Sequence, residues 1–336
     1  KVKEDRVALI YNKHLSPSHK FFLTTHLNRR LFENKLPYTS GGRVEFERWA
    51  PGVEARSIFD LKFFDRPGRL IVGADLSFQS DDRKRFDNNN GTPGDKTLDR
   101  LETVQSIGQY LRTEWQWTPR LETVGGIRYD RVRFELDDAF LDDGDQSDDQ
   151  TFSELSGTVG SIFHWNESMH LYANVATAFE TPTTTELAND PNGGSGFNSN
   201  LKSQYSVSYE VGFKRRPLKG PELDLALFII RSRDELISYE ISGSTFYKNT
   251  GRSRRIGLEA GISHHPMKWV KTSLSYTFSD FKFTEFNDSG VDQSGHLIPG
   301  IPEHRISFNL NAFSESGWFA RSELQHVSAF FLDNGN

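Results

Sequence analysis

Charged side chains recur two residues apart along this chain, and the spacing limits the chemistry open to them. Arg112 and Glu114, Arg128 and Asp130, then Glu210, Glu259, Arg305, Arg321 and Glu323 all fall on the polar side of alternating segments. Residues two apart in a strand share a face. Such pairs can line a wetted wall with ion pairs, but they supply no nucleophile. The chain has no cysteine, and no Cys/His set has metal-ligand spacing. There is no Gly-x-Ser-x-Gly elbow and no phosphate-cradling loop. His264 and His265 are adjacent and point opposite ways in a strand; His296 and His304 flank a strand entry, and His170 lies beside a turn. An acidic stretch runs from Asp137 to Asp149, and its Asp142, Asp143 and Asp145 are a candidate calcium site. It lacks the twelve-residue pattern with a closing Glu, so a solvated acidic loop is the other reading. The chain reads as a non-enzyme with no intrinsic cofactor.

The elements that must carry these charges are strands. Around Tyr209, apolar residues take the odd positions Tyr205, Val207, Tyr209, Val211 and Phe213, with Ser206, Ser208, Glu210, Gly212 and Lys214 between them. The segment Arg216 to Pro221 reverses the chain, and Leu223, Leu225, Leu227 and Ile229 begin the next series. Seven short turns of this kind recur, at Ser16–His19, Asp65–Gly68, Thr118–Arg120, Asn166–Ser168, Arg216–Pro221, His265–Met267 and Ser314–Gly317. Longer polar stretches, read as loops, lie between them at about 30–54, 80–100, 136–150, 181–201, 231–251 and 280–301. Asp87–Gly91 and Pro191–Gly196 read as flexible loop material. The pattern predicts about fourteen antiparallel strands, each joined to the next.

One face of these strands is dry and the other carries charge. A sandwich core could not hold so many ionised groups without a severe desolvation cost. A transmembrane barrel can, because lipid meets the dry face and water or a plug meets the other. Hydrophobic residues make up only 35% of the 336 residues, and no run of eighteen apolar residues marks a membrane helix. Aromatic residues gather beside the short turns: Phe63 and Phe64, Trp115 and Trp117, Trp165, Trp269, Phe313, Trp318 and Phe319. They predict an interfacial girdle at one rim. The basic residues are scattered and the formal net charge is −6, so nothing points to nucleic acid.

Four segments carry a family resemblance. They are Leu171–Pro182 followed by Glu186-Leu187, Tyr209-Glu210-Val211-Gly212, Asn249–Glu259, and Pro299–Arg305. In order and spacing they resemble the barrel domain of TonB-dependent outer-membrane receptors, along essentially the whole chain. The resemblance implies a 22-strand barrel around an N-terminal plug, in the outer membrane of a Gram-negative bacterium. It implies short periplasmic turns and long extracellular loops. Residues 1–336 then read as part of a single barrel domain, with the plug and the terminal strands absent and both ends cut through a larger architecture.

The implied function is TonB-energised uptake of a scarce nutrient, with a ferric siderophore as the expected ligand. Heme, cobalamin or another cofactor would use the same barrel. The implied partners are TonB through the absent plug segment, lipid and lipopolysaccharide, and a small-molecule metal chelate; a monomer is expected. On this resemblance, loop aromatics and arginines become ligand candidates: Arg83, Arg85, Phe86, Phe140, Phe197, Tyr239, Phe246, Tyr247, Arg252 and Phe286. Arg112, Glu114, Arg128, Asp130, Glu210, Glu259 and Arg305 become candidates for lumenal contact with the plug. A passive outer-membrane channel or a soluble β-rich adhesion or binding module are the competing readings.

Overall fold

The computed structural model describes residues 1–188, 190–191, 196–241, 244–288 and 290–336. Of the glycine-rich stretch Pro191–Gly196, residues 192–195 lie outside the described residues. The strands are β1 (Val2–Ser16), β2 (His19–Lys35), β3 (Arg43–Phe63), β4 (Arg66–Asn89), β5 (Thr92–Gln116), β6 (Leu121–Asp138), β7 (Asp148–Asn166) and β8 (Met169–Glu180). After a single helical turn, α1 (Thr184–Leu187), come β9 (Gln204–Arg215), β10 (Glu222–Ile241), β11 (Ser244–Met267) and β12 (Val270–Glu285). A small hairpin of β13 (Asn287–Asp288) and β14 (Val291–Asp292) precedes β15 (His304–Phe313) and β16 (Phe319–Val327). Fourteen strands form one antiparallel sheet in chain order, and β13 with β14 makes a separate pair. Within the large sheet, β1 and β16 each pair on one side only.

All seven short reversals fall where turn chemistry predicts them, two of them shifted by a residue or two. The β3–β4 turn centres on Phe64 and Asp65, both in the left-handed region at φ 49° and 57°. Two consecutive positive φ values match the right-handed twist of a hairpin. The long polar stretches are shorter as loops than expected. Residues 80–89 and 92–100 are strand, closed by a two-residue turn at Asn90 (φ 55°) and Gly91 (φ 90°). Residues 231–241 and 244–251 likewise extend β10 and β11. Polar composition misled the reading because opposite charges can sit directly across a ladder and hold it. Lys84, for example, lies opposite Glu45 on one side and Asp99 on the other. A strand of about 9–11 residues is long enough to cross a bilayer, and β4 at 24 and β5 at 25 are about twice that length.

The ladder register sorts side chains by face. Ala55, Ala74, Gln109 and Tyr129 lie in one cross-strand row, as do Val175, Tyr209, Ile229 and Ile256. This outer face holds the exposed Leu76, Ile107, Ile127, Val159, Val211 and Leu227. Exposed apolar rows on so many adjacent strands are the surface a lipid contact requires. Trp117, Trp165, Trp269 and Trp318 are exposed at the short-turn rim, and Trp115 packs between Phe63 and Trp117. The opposite, inner face carries the Arg48–Asp81, Arg100–Glu102 and Arg128–Asp130 ion pairs, and at its loop end the apolar core. Close packing there needs glycine: a Cβ at Gly73 would lie 2.3 Å from the Tyr110 ring, and one at Gly257 would lie 2.2 Å from Phe228.

Candidate functional site

The inner face above mid-height divides into a charged wall and an apolar cap. On the wall, Arg48 of β3 donates two hydrogen bonds to Asp81 of β4, at 2.7 and 2.6 Å. Glu102 of β5 takes Arg100 at 2.6 Å and Arg83 at 3.6 Å. Asp81 and Glu102 are both only 4% exposed, so each depends on its guanidinium partners. Arg85 is half-buried beside Arg83 and Arg100. Arg48 also lies over the ring of Phe46, at 5.4 Å from its centroid. Four guanidiniums therefore meet three carboxylates here, Asp81, Glu102 and Asp138 across the ladder from Arg100, and a wall with an excess of cations attracts anions.

Lower on the same face, Arg128 of β6 reaches across Gly108 of β5. It bonds Asp75 of β4 at 2.7 Å and Asp130 of its own strand at 2.6 Å. Arg112 pairs with Glu114 at 2.9 Å, and Arg69 joins Glu114 at 3.4 Å. The Tyr172 hydroxyl donates to Glu210 at 2.7 Å. Glu259, Thr277 and Arg305 share one cross-strand row, and no ion pair joins Glu259 to Arg305. All nine residues expected on the charged face share one face of the sheet; Arg112–Glu114, Arg128–Asp130 and Arg321–Glu323 pair along their own strands, and Glu210, Glu259 and Arg305 do not pair with one another.

The cap is the segment from 181 to 203 between β8 and β9. Thr183 caps α1: its hydroxyl accepts from the Glu186 N–H, and the Glu186 carboxylate accepts from the Thr183 N–H at 2.6 Å. Pro182 and Leu187 are fully buried. Leu187, Phe197 and Leu201 pack on Phe134, Leu136 and Phe152 of β6 and β7, with Leu236 and Tyr247 of β10 and β11 alongside. The Thr181–Leu187 motif thus turns the chain inward and plants a leucine in the cap.

The ligand candidates fall in different places. Arg83 and Arg85 lie on the charged wall, on strand and not on loop. Phe86 points to the outer face opposite Arg43. Phe140 lines a cavity of about 240 Å³ with Arg100, Leu136, Asp138 and Gln146. Phe197 is buried in the cap, and Phe286 is buried against Phe283 at 4.6 Å between ring centroids. Tyr239 and Phe246 face each other at 6.1 Å on the outer side of the β10–β11 arm, with Lys248 over Tyr239. Tyr247 points inward to the cap. Arg252 pairs with Glu285 at 3.2 Å on the rim.

The acidic stretch satisfies its own backbone. Asp138 accepts from the Phe140 and Gln146 N–H groups, both at 3.0 Å. Asp145 accepts from the Ser147 N–H at 2.9 Å, and its hydrogen bonds to Ser147 hold its carboxyl below the usual range. Asp142 and Asp143 sit on a 3-10 turn. Among the described residues, no group of three or more His, Asp and Glu converges as a metal site would require.

Residue-by-residue reading missed Arg48, Asp81, Arg100 and Glu102, because they fall in or beside stretches assigned to loops. It also missed the pairing of His164 with His170, whose Nδ1 atoms are 2.8 Å apart. Both lie three residues from Glu167, the centre of the β7–β8 turn, so counting outward from the turn would have found them.

A family profile described as "TonB dependent receptor-like, beta-barrel" matches residues 5–336. The chain belongs to this family. The TonB-dependent receptor barrel is an outer-membrane fold, which accounts for the exposed apolar belt, and the family is one of transport receptors, not enzymes. The chain is 23% identical over 225 residues to the metal-pseudopaline receptor CntO of Pseudomonas aeruginosa, covering 65% of this chain and 29% of that protein. Its fold matches the ferric citrate transporter FecA in unliganded form, with a TM-score of 0.84 at 17% identity, over 100% of this chain and 50% of that one. It also matches the copper transporter OprC, with a TM-score of 0.78 at 19% identity, over 97% and 52% respectively. The siderophore receptor PiuA from Acinetobacter baumannii gives 0.77 at 17% identity, over 97% and 54%. The chain spans about half the length of these solved receptors.

Proposed function

We propose that this chain forms the ligand-receiving half of the barrel wall in a receptor that takes up an anionic metal chelate, with a ferric siderophore as the leading ligand. The observation that carries the reading is the charged wall. Arg48, Arg83, Arg85 and Arg100 outnumber Asp81, Glu102 and Asp138 on the inner face, above the apolar belt and beside the capped segment. An anionic chelate entering from the loop side would meet guanidinium donors whose orientation is already fixed by Asp81 and Glu102. The names of similar receptors support a metal-chelate cargo, since they include ferric citrate, metal-pseudopaline and siderophore receptors.

In the same reading, strands pairing with the free edges of β1 and β16 would complete a 22-strand barrel around a plug. Glu210, Glu259 and Arg305 would contact that plug, and TonB would act on it from the periplasm to supply the energy. Lipid and lipopolysaccharide would surround a monomeric barrel.

The test is binding of ferric siderophores, other metal chelates, heme and cobalamin to the detergent-solubilised receptor that carries this chain, followed by tryptophan quenching. The expected result is sub-micromolar binding of one metal-loaded anionic chelate and none of its metal-free form. Preference for a neutral or cationic ligand would contradict the reading.

A further inference from the structure

We propose that His164 and His170 form a binding site for a divalent transition-metal ion, at the short-turn end of the inner face. The two residues are direct cross-strand partners on β7 and β8. Their Nδ1 atoms lie 2.8 Å apart and their rings meet edge to face at 84°. Without metal, one Nδ1 must donate and the other accept. A metal ion can displace that shared proton if each ring turns to aim its Nδ1 lone pair at a point beside the line between the two nitrogens.

A pair of nitrogens held near this separation favours one class of ion. With metal–nitrogen bonds of about 2.0–2.1 Å, a 2.8 Å separation subtends about 86° at the metal. That angle suits a pair of neighbouring ligands in a square-planar or octahedral site, and it is narrower than a tetrahedral site needs. Imidazole nitrogens in tetragonal geometry favour Cu(II) and Ni(II).

The surroundings support this use. On the far side of the His164 ring, Nε2 faces the Glu122 carboxylate at 3.8 Å. That is longer than a hydrogen bond; once the ring turns onto an ion, a carboxylate on this side can accept its Nε2–H, which fixes the tautomer and raises the basicity of Nδ1. Lys214 is the cross-strand neighbour of His170, but its ammonium is drawn over the Tyr172 ring, 5.4 Å from the centroid. Both His164 and Glu122 keep about a third of their side-chain surface exposed, 31% and 34%, so an ion can enter with its water. With no third His, Cys, Asp or Glu converging among the described residues, water would fill the remaining positions. The site is distinct from the chelate-binding wall, which lies at the opposite end of the same face.

The experiment titrates Cu²⁺ into the detergent-solubilised receptor carrying this chain, and reads the electron paramagnetic resonance spectrum of the first equivalent. The expected spectrum shows coupling to two imidazole nitrogens, reduced to one or lost in His164→Ala and in His170→Ala. Glu122→Gln should weaken Cu²⁺ binding about 10-fold and leave the two-nitrogen pattern intact; it also serves if a histidine variant fails to fold. A first equivalent that binds with the same affinity and spectrum in both histidine variants would overturn the proposal, as would an unperturbed Glu122→Gln together with a single-nitrogen spectrum in the parent. Chelate binding is measured separately on the same samples and does not enter this outcome.

Discussion

The charged wall and the apolar cap occupy the same height on the inner face, and they are built on opposite principles. On the wall, long strands carry ion pairs across the ladder, and β4 and β5 stay paired to their tips through an irregularity at Phe86. At the cap, the chain leaves the sheet, makes one helical turn and buries Leu187, Phe197 and Leu201 against β6 and β7. The wall offers directed charge to whatever enters, while the cap offers shape. A mouth with one rigid charged side and one folded-in segment can fix a ligand against the first and change its access through the second.

The difference can be tested from the cap side first. Leu187→Ala leaves a cavity in the cap and should cost about 2–5 kcal/mol locally. Hydrogen exchange should show the 181–203 segment losing protection while β4 and β5 keep theirs. Equal loss in both would mean that the two regions are one cooperative unit. On the wall, Arg48→Met strands the Asp81 carboxylate, which is 4% exposed. That change should cost about 3 kcal/mol and raise exchange in the outer arms of β3 and β4 only.

Smaller effects sharpen the contrast in function. Arg100→Ala removes a charged donor from the wall and should weaken chelate binding about 10-fold, measured by tryptophan quenching. Leu187→Ala should alter association and dissociation rates with less effect on the preference for anionic ligands. The smallest effect is Thr183→Ala, which removes one side of the capping box. It should cost about 1 kcal/mol and be visible only as faster exchange around α1.

Much of the fold was legible because period two survives even in polar sequence. The alternation at Tyr205–Phe213 fixed the facing of Glu210, and equivalent patterns fixed Arg128, Glu259 and Arg305 on one face. The seven turns were legible from Pro, Gly and Asn chemistry. The arms at 80–100 and 231–251 are not, because charge alone does not tell loop from strand: Lys84 pairs with Asp82 along its own strand, and Arg48 with Asp81 joins β3 to β4. Phe197 and Phe286 were read as loop aromatics free to stack on a ligand. Sequence cannot show that a loop folds back over its own sheet, and both side chains are buried by that folding. The Thr181–Leu187 motif gave a clue, since Thr183 and Glu186 have capping-box spacing. Contacts between residues well separated in the chain, such as Arg48 with Asp81 on the next strand, depend on register that only the assembled sheet supplies.

The most direct test uses the absence of cysteine from the chain. Gln79 and Ser80 are neighbours on β4 with side chains on opposite faces, Gln79 toward Asp81 and Ser80 opposite Trp49 and Thr103. Gln79→Cys and Ser80→Cys receptors would each be labelled with a water-soluble maleimide, with and without a saturating anionic metal chelate. The account predicts that the chelate slows labelling at position 79 and leaves position 80 unchanged. Protection at position 80 alone, or equal protection at both, would contradict the assignment of the charged wall as the face that receives the ligand.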